Sequence, residues 1–295
     1  MTNALLFATT VLVWGTTWIG IRMQVGPVPV LVSVLYRFLL AAAILLGALA
    51  LSGRLRWPAA RHHPFLILQA LCLFSLNFLC FYAAAGRIPS GLVSVIFSLA
   101  TIFNAVNARL FFGERITGRV ALAAALGAAG VGLLFARDLM GAADPAALHG
   151  VGLAMLGTLL FSWGNMVSRR NGMAGVPLMS ANAWGMGYAV LILGALIAAT
   201  GTPVVAPPDG RYLMALVYLA VAASVIGFTT YLMLVARIGS SRAAYATVLF
   251  PVIALTISTV VEGYRWHWTG FVGLAFALAG NLVLFARPAG WRRPG

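Results

Sequence analysis

Leu134-Phe135-Ala136-Arg137 is repeated as Leu284-Phe285-Ala286-Arg287, 150 residues further along the chain. A second stretch, Arg87-Ile88-Pro89-Ser90, has a counterpart at the same offset in Arg237-Ile238-Gly239-Ser240. One match of four residues means little in this composition, but two matches at one offset indicate an internal duplication. The sequence therefore predicts two related units, each about half of the chain.

The boundary between the two predicted units falls near residue 140. Trp14-Gly15 and Trp163-Gly164 match at an offset of 149 residues, in agreement with the longer stretches. We predict a first repeat over residues 1–140 and a second repeat over residues 141–295. Paired halves in a membrane protein are typical of transporters.

Composition predicts a membrane protein. Of the 295 residues, 62% are hydrophobic and only 8% are charged, which is typical of a polytopic membrane protein. The formal net charge is +14, and every basic residue is an arginine. In a soluble chain this charge would indicate nucleic-acid binding. Most of these arginines, however, lie in short gaps between apolar runs, so we interpret them as topology signals and predict no nucleic-acid partner.

The apolar runs predict ten membrane spans. A bilayer core about 30 Å thick requires roughly 20 apolar residues per helix. Dividing the runs at arginine, proline and glycine clusters gives residues 3–22, 29–51, 64–86, 90–112, 119–136, 149–169, 177–200, 211–236, 242–261 and 268–286. The predicted fold class is therefore all-α, with the lipid bilayer as its surroundings.

The arginines predict the topology. With the N-terminus in the cytoplasm, thirteen arginines lie on the cytoplasmic side and five on the opposite side, while Arg37 lies within a span. The positive-inside rule then favours cytoplasmic N- and C-termini. Each half holds five spans, and this odd number means that the second half enters the membrane from the opposite side. We predict a 5+5 inverted repeat around a central cavity that opens alternately to each side.

Short motifs resemble the EamA-type ten-helix exporters of the drug/metabolite transporter superfamily. They are Trp14-Gly15, Tyr36-Arg37-Phe38, Phe112-Gly113-Glu114-Arg115, Glu262-Gly263, Gly118 and Gly270. The run 98–101 with Asn104 and Asn107 is most similar to the YddG-type aromatic amino-acid exporters, although the fourth span lacks the proline that family halves often carry. The resemblance implies a bacterial inner-membrane exporter whose cavity is lined by the first, third, fourth, sixth, eighth and ninth helices.

Acidic side chains and histidines lie outside the predicted spans or at their edges. Ion-coupled carriers commonly hold a carboxylate or histidine within the membrane, on the transport path. All five acidic residues and all four histidines map to loops or helix ends: Glu114, Asp138, Asp144, Asp209, Glu262, His62, His63, His149 and His267. We therefore predict facilitated transport down the gradient of the substrate, as a uniporter.

Aromatic rings and small polar groups within the spans suit an amphipathic ligand with an apolar body and a polar end. The candidate substrate-binding residues are Trp14, Thr16, Asn77, Tyr82, Ser94, Ser98, Trp163, Asn165, Tyr231 and Tyr245. Trp14 with Trp163, and Tyr82 with Tyr231, hold repeat-related places. For each residue the alternative is packing or an interhelical hydrogen bond, which we consider at least as good an interpretation for Asn104 and Asn107.

Two further residues have alternative interpretations. Pro251 interrupts the hydrogen bonding of the ninth helix, which predicts a kink that serves either as a gating hinge or as a static bend. Arg37 is the only arginine well inside a span. It either attracts a carboxylate or has a structural role, by snorkelling or by capping a helix, and the resemblance of its motif favours the structural role.

The glycine-rich fifth and tenth helices predict scaffold or oligomer contacts, which leaves a monomer and a homodimer open. We predict an exporter of small amphipathic metabolites, above all aromatic or hydrophobic amino acids, with no cofactor and no metal. Rival hypotheses are proton-coupled drug or metabolite efflux and sugar-phosphate exchange. From other classes, a membrane assembly subunit and an intramembrane lipid-modifying enzyme remain. The enzyme is disfavoured because no cluster of acids, bases, nucleophiles or metal ligands is visible.

Overall fold

The computed structural model describes residues 2–135, 145–238 and 245–285, apart from some side chains beside the last two gaps. Regular structure within these ranges is helical, with one isolated bridge between Val25 and Val28. The predicted all-α fold class is therefore confirmed.

The first half of the chain forms helices α1 to α5. They are α1 (Asn3–Gln24), α2 (Val30–Leu51), α3 (Ala60–Ala85), α4 (Ser90–Phe112) and α5 (Gly118–Leu134). Helix α4 was predicted to be continuous, but it is interrupted at Leu99, between Ser90–Ser98 and Ala100–Phe112. Hydroxyl groups satisfy carbonyls at this break, because Ser98 donates to the Val95 carbonyl at 2.7 Å and Thr101 donates to the Ser98 carbonyl at 3.1 Å.

The second half of the chain forms helices α6 to α10. They are α6 (Pro145–Met173), α7 (Leu178–Thr200), α8 (Gly210–Val217, Tyr218–Ile226 and Gly227–Ile238), α9 (Tyr245–Val261) and α10 (Trp268–Phe285). Helix α6 extends four residues beyond each end of the predicted span 149–169. Arginine ends an apolar run but is a good helix former, so the helix continues through Arg169 and Arg170.

Length and composition allow seven of the described helices to cross a membrane, namely α1 to α4 and α6 to α8. The apolar parts of α5, α9 and α10 are shorter. The chain is thus a polytopic helical membrane protein, whereas the prediction that all ten helices span the bilayer as an inverted repeat stays a prediction.

Helices α3 and α8 each contain a π-helical segment. These segments are Ala70–Ser75 in α3 and Tyr218–Ile226 in α8, so their first residues lie 148 positions apart. A π-helical turn breaks the regular pairing of backbone groups and is frequent at functional sites. Both segments border the central cavities described below.

The helices pack in pairs around a central group. Helix α1 contacts α8 and α9, and α6 contacts α3 and α4, while α2 packs on α7 and α5 packs on α10. The first part of α4 contacts α9, whereas its second part contacts α6. Helices α4 and α9 therefore approach each other at one end of the molecule and separate towards the other.

The contact between α5 and α10 depends on glycine. A Cβ atom added at Gly130 would lie 2.7 Å from the Gly273 carbonyl oxygen and 2.7 Å from the Ala277 nitrogen. Both are backbone atoms that cannot move aside, so we expect Gly130→Ala to lower the free energy of unfolding by about 1–3 kcal/mol. Thermal unfolding in detergent measures this loss. Gly132→Ala is the matched control, because a Cβ atom there meets no atom within 4 Å; equal stability of the two variants would contradict the prediction.

Candidate functional site

Two neighbouring cavities lie between the central helices and share five aromatic residues. One has a volume of about 220 Å³ and the other of about 50 Å³. We name the shared residues the aromatic collar: Trp14, Phe97, Phe161, Phe228 and Phe250. They come from α1, α4, α6, α8 and α9, so these helices meet at the collar.

The larger cavity, here called the vestibule, is lined by polar side chains as well as by the collar. Its other lining residues are Leu73, Ser98, Ala100, Thr101, Asn104, Asn165, Ser168, Leu178, Asn182 and Tyr231. Ser168 and Leu178 lie near the connection between α6 and α7, so the vestibule reaches towards the end of the molecule where α1 begins. Amide and hydroxyl groups there offer both donors and acceptors to a ligand.

The smaller cavity, here called the inner chamber, lies on the opposite side of the collar. Apart from the collar it is lined by Thr17, Trp18, Ile21, Arg37, Asn77, Phe78, Phe81 and Ala223. It is mainly apolar, yet it contains one arginine and one asparagine. Among the described residues lining either cavity there is no acidic side chain and no histidine.

Trp14 is positioned by the π-helical segment of α8. Its indole nitrogen donates a hydrogen bond of 3.1 Å to the Ala223 carbonyl. Gly227 leaves the space for the ring, since a Cβ atom there would collide with the indole nitrogen. The ring contacts Tyr231 and Phe228 at centroid distances of 5.1 and 5.2 Å. These contacts therefore fix the position of the Trp14 ring where α1 meets α8.

Arg37 is buried beside the inner chamber. Its Nε donates to the Ser224 hydroxyl at 3.2 Å, and its guanidinium carbon lies 4.3 Å from the centroid of the Phe78 ring. Its Nη1 has no hydrogen-bond partner among the described residues. Ser224 belongs to the π-helical segment of α8, so this segment positions both Trp14 and Arg37.

Asn77 follows the π-helical segment of α3 and is fully buried at the inner chamber. Neither its Oδ1 nor its Nδ2 has a hydrogen-bond partner in the described part of the chain. By contrast, Asn107 of α4 is equally buried, but its Nδ2 donates to the Ser162 hydroxyl at 2.8 Å. A buried amide without partners is costly, so Asn77 is unusual among the buried asparagines.

At the end of the bundle beyond the inner chamber, Glu262 joins α9 to α4 and α1. Its side chain is only 11% exposed and lies 3.4 Å from Arg22 Nε. It accepts hydrogen bonds from the Ser90 amide at 3.0 Å and from the Ser90 and Ser258 hydroxyls at 2.6 Å each. Gly91 allows the close approach of the two helices, because a Cβ atom there would lie 2.8 Å from Leu255 Cα. Helices α1, α4 and α9 are therefore held together at this end of the bundle.

A second ion pair lies at the opposite end of the bundle. Arg169 at the end of α6 lies 2.6 Å from Glu114 after α4, and the two side chains are 44% and 51% exposed. Glu114 precedes Glu262 by 148 residues, and Arg169 follows Arg22 by 147 residues. The two pairs thus join corresponding helices at opposite ends. The arginines are similarly exposed, but the Glu262 carboxylate is much more buried than that of Glu114 and also accepts hydrogen bonds from two serines.

Five of the predicted site residues line the cavities. Trp14, Ser98, Asn165 and Tyr231 border the vestibule, and Asn77 borders the inner chamber. Asn165 also contacts the neighbouring Asn104, with 3.4 Å between Nδ2 and Oδ1. Their role in substrate binding stays a prediction.

Other predicted site residues lie elsewhere. Trp163 is 39% exposed and borders a lateral apolar groove with Phe65 and Phe112, so the structure does not bring it to the collar. The Thr16 hydroxyl donates to the Leu12 carbonyl at 2.6 Å and contacts Tyr218. Neither residue lines the central cavities.

Tyr82 and Ser94 are fully buried but do not border either cavity. The Tyr82 hydroxyl donates to Gln24 Oε1 at 2.7 Å, whereas the Ser94 hydroxyl lacks a partner among the described residues. The side chain of Tyr245 lies outside the described residues. Pro251 lies within α9 and directly follows Phe250 of the collar, so a bend there would move a collar residue.

The phenylalanines of the collar were missed by sequence reasoning. Phe97, Phe161, Phe228 and Phe250 carry no polar atom and resemble the many other apolar residues of their helices. The helical spacing of residues on α1 is a signal that could have located the face on which the collar lies. Trp14, Thr17, Trp18 and Ile21 follow one face of α1, as expected for positions i, i+3, i+4 and i+7.

A helical bundle with an amphipathic central cavity is an architecture of membrane transporters. The EamA-like transporter family matches the chain twice, over residues 1–136 and 148–286. The chain belongs to this family. Its fold is similar to that of a solved crystal structure with 21% sequence identity and a TM-score of 0.67, over 96% of both chains.

Three relatives extend the comparison. The inner membrane transporter YedA of Escherichia coli K12, described as uncharacterized, is 26% identical over 94% of this chain and 90% of the relative. A probable amino-acid metabolite efflux pump of the same organism is 25% identical, covering 95% and 94%. A probable terminal-alkyne amino-acid exporter of Streptantibioticus cattleyicolor is 24% identical, covering 96% and 93%.

Proposed function

We propose that this protein exports small amphipathic metabolites across the bacterial inner membrane, above all amino acids with aromatic or other hydrophobic side chains. One observation carries the proposal. The aromatic collar lies between the vestibule, which is rich in amide and hydroxyl groups, and the inner chamber, which is bordered by the buried guanidinium of Arg37. Such a sequence of surfaces suits a ligand with an apolar body and a polar end. The names of the relatives from Escherichia coli and Streptantibioticus support the same substrate class.

Transport proceeds by alternating access between two inverted five-helix repeats, 1–140 and 141–295, with both termini in the cytoplasm. Three observations support this arrangement. The helix contacts of the two halves correspond, because α1 packs on α8 and α9 of the second half and α6 packs on α3 and α4 of the first half. The π-helical segments and the ion pairs recur at offsets near 148 residues. In the proposed topology the vestibule faces the cytoplasm, and Glu262 lies at the opposite end of the bundle.

Transport is facilitative, and the substrate moves down its own gradient. The described acids support this view, because Glu114 and Glu262 form ion pairs at helix ends and Asp209 caps the start of α8 through the Tyr212 amide. Proton- and sodium-coupled carriers commonly hold a carboxylate or histidine on the path, and the described residues lining the two cavities include neither. The substrate is therefore recognised by its ring and head group, without a cofactor or metal.

Uptake of labelled phenylalanine into liposomes that contain only the purified protein tests the proposed function. We expect saturable uptake that stops at equal concentrations inside and outside and does not change when a pH gradient is imposed. Accumulation above the external concentration under the pH gradient would replace facilitation by proton coupling. The absence of uptake for phenylalanine, tryptophan and leucine would contradict the proposed substrate class. Protein-free liposomes are the control for passive diffusion.

A further inference from the structure

The inner chamber is bordered by a buried positive charge, Arg37, that has no negatively charged partner among the described residues. Two ion pairs occur within the described residues, and neither includes Arg37. The three described acids, Glu114, Asp209 and Glu262, are engaged at helix ends. The Phe78 ring and the hydroxyls of Ser224 and Tyr82 stabilise the guanidinium in part, but neutral groups do not replace a counter-charge. An uncompensated charge within a membrane span is unfavourable unless a ligand supplies the opposite charge.

The donors and acceptors at this chamber are incomplete in a specific way. Within the described part of the chain, Arg37 Nη1 is a donor without an acceptor, and Asn77 adds a free donor, Nδ2, and a free acceptor, Oδ1. Both residues line the same chamber of about 50 Å³. Buried polar atoms nearly always have hydrogen-bond partners, so three free atoms around one small cavity indicate an unfilled ligand site.

We propose that the inner chamber binds the zwitterionic head group of an amino acid, with the carboxylate on Arg37 and the ammonium on Asn77 Oδ1. This inference rests on the proposed function and adds the position and orientation of the substrate. The chamber has room for a few water molecules or for a head group, but not for an entire aromatic amino acid. The apolar side chain therefore lies in the collar and extends into the vestibule, which has about four times the volume.

This orientation assigns different tasks to the two cavities. Arg37 selects ligands with a carboxylate, because removal of the carboxylate leaves the buried guanidinium unpaired. The vestibule tolerates side chains of different size, because its lining combines rings with small polar groups. The protein is thus expected to be strict about the head group and permissive about the side chain.

Binding of three related probes to the purified protein tests the site. The probes are L-phenylalanine, phenethylamine without the carboxylate and 3-phenylpropionate without the ammonium. Tryptophan fluorescence can report binding, since Trp14 and Trp18 border the chamber. We expect phenethylamine to bind about 10- to 100-fold more weakly than phenylalanine, as for loss of a charged hydrogen bond. Equal affinities for these two probes would overturn the proposal.

Variants of Arg37 connect this preference to the residue. We expect Arg37→Gln to weaken phenylalanine binding about 10- to 100-fold, while phenethylamine binding stays the same or becomes tighter because the repulsion between guanidinium and ammonium is removed. Arg37→Lys retains the charge and is expected to keep part of the preference. The wild-type comparison of probes decides the matter even if Arg37→Gln does not fold. A folded Arg37→Gln protein with the full carboxylate preference would overturn the role of Arg37.

Asn77 has a matched control in Asn107. Asn77→Leu removes a buried amide without partners, so we expect unchanged or higher thermal stability together with weaker binding of phenylalanine and phenethylamine. Asn107→Leu removes the hydrogen bond to Ser162, so we expect lower stability with unchanged affinity. The reverse pattern would overturn the role of Asn77.

The probes also separate this inference from the proposed function. If 3-phenylpropionate binds in an Arg37-dependent way but phenylalanine does not bind, the anion site is supported and the amino-acid substrate is rejected. If phenylalanine is transported but the carboxylate has no influence on affinity, the proposed function is supported and the head-group site is rejected.

Discussion

Replacing Trp14 by alanine is expected to reduce phenylalanine uptake about 30-fold or more, since an aromatic residue at the centre of a binding site contributes about 2 kcal/mol or more. Trp14 borders both cavities, and its ring contacts Phe228, Tyr231 and Phe250. Its loss therefore removes the contact with substrate that we propose and loosens the collar. Initial uptake rates in liposomes, normalised to folded protein, measure the effect. Trp14→Phe keeps a ring and is expected to retain part of the activity.

Trp163→Ala is the matched control for Trp14→Ala. Both variants remove an indole from a repeat-related position, but the Trp163 ring is 39% exposed in the lateral groove. We expect normal uptake by Trp163→Ala and a small change in stability. If Trp163→Ala abolished uptake and Trp14→Ala did not, the position of the substrate at the collar would be wrong.

Trp163 also shows how far sequence reasoning could go. The predicted duplication relates the first helices of the two halves, but it does not require that matching residues face the same space. On α6, Phe161 and Asn165 line the vestibule, and Trp163 lies two positions from each, which is about 200° around the helix. The same spacing separates Thr16 from Trp14 on α1. Residues two positions apart face different sides of a helix. Helical periodicity alone could therefore have shown that Thr16 does not line the same cavity as Trp14, nor Trp163 the same cavity as Asn165.

Other parts of the site could not be predicted from the sequence. The fold class follows from composition and apolar run length, and Arg37 is recognisable as a lone charge within a span. Arg37 has no counter-charge among the described residues because of the helices that pack around α2. No local sequence pattern reveals which helices these are. The π-helical segment of α8, which positions Trp14 and Arg37, likewise has no signal in the spacing of apolar residues. The site therefore depends on tertiary packing, whereas the bundle depends on the hydrophobic pattern.

Replacing Glu262 by glutamine is expected to open the end of the bundle beyond the inner chamber. The change removes the charge that pairs with Arg22 and weakens the bonds from Ser90 and Ser258. A loss of about 2 kcal/mol from the closed state would change the ratio of closed to open molecules about 30-fold. The measurement is the rate at which a membrane-impermeant maleimide labels Ile21→Cys from outside spheroplasts, after Cys72 and Cys80 are replaced by alanine. We expect at least about tenfold faster labelling in Glu262→Gln.

Glu114→Gln distinguishes a specific closure from a general effect of lost charge. Glu114 pairs with Arg169 at the opposite end, where 51% of its side chain is exposed, and exposed pairs contribute about 0–1 kcal/mol. We therefore expect Glu114→Gln to leave labelling of Ile21→Cys from the outside nearly unchanged. Unchanged labelling in a folded Glu262→Gln protein would mean that helix packing around Gly91 closes this end without the carboxylate. Glu262 is more buried than Glu114, its counterpart in the related ion pair. A larger effect of Glu262→Gln would therefore link this difference in burial to the direction in which the cavity is open.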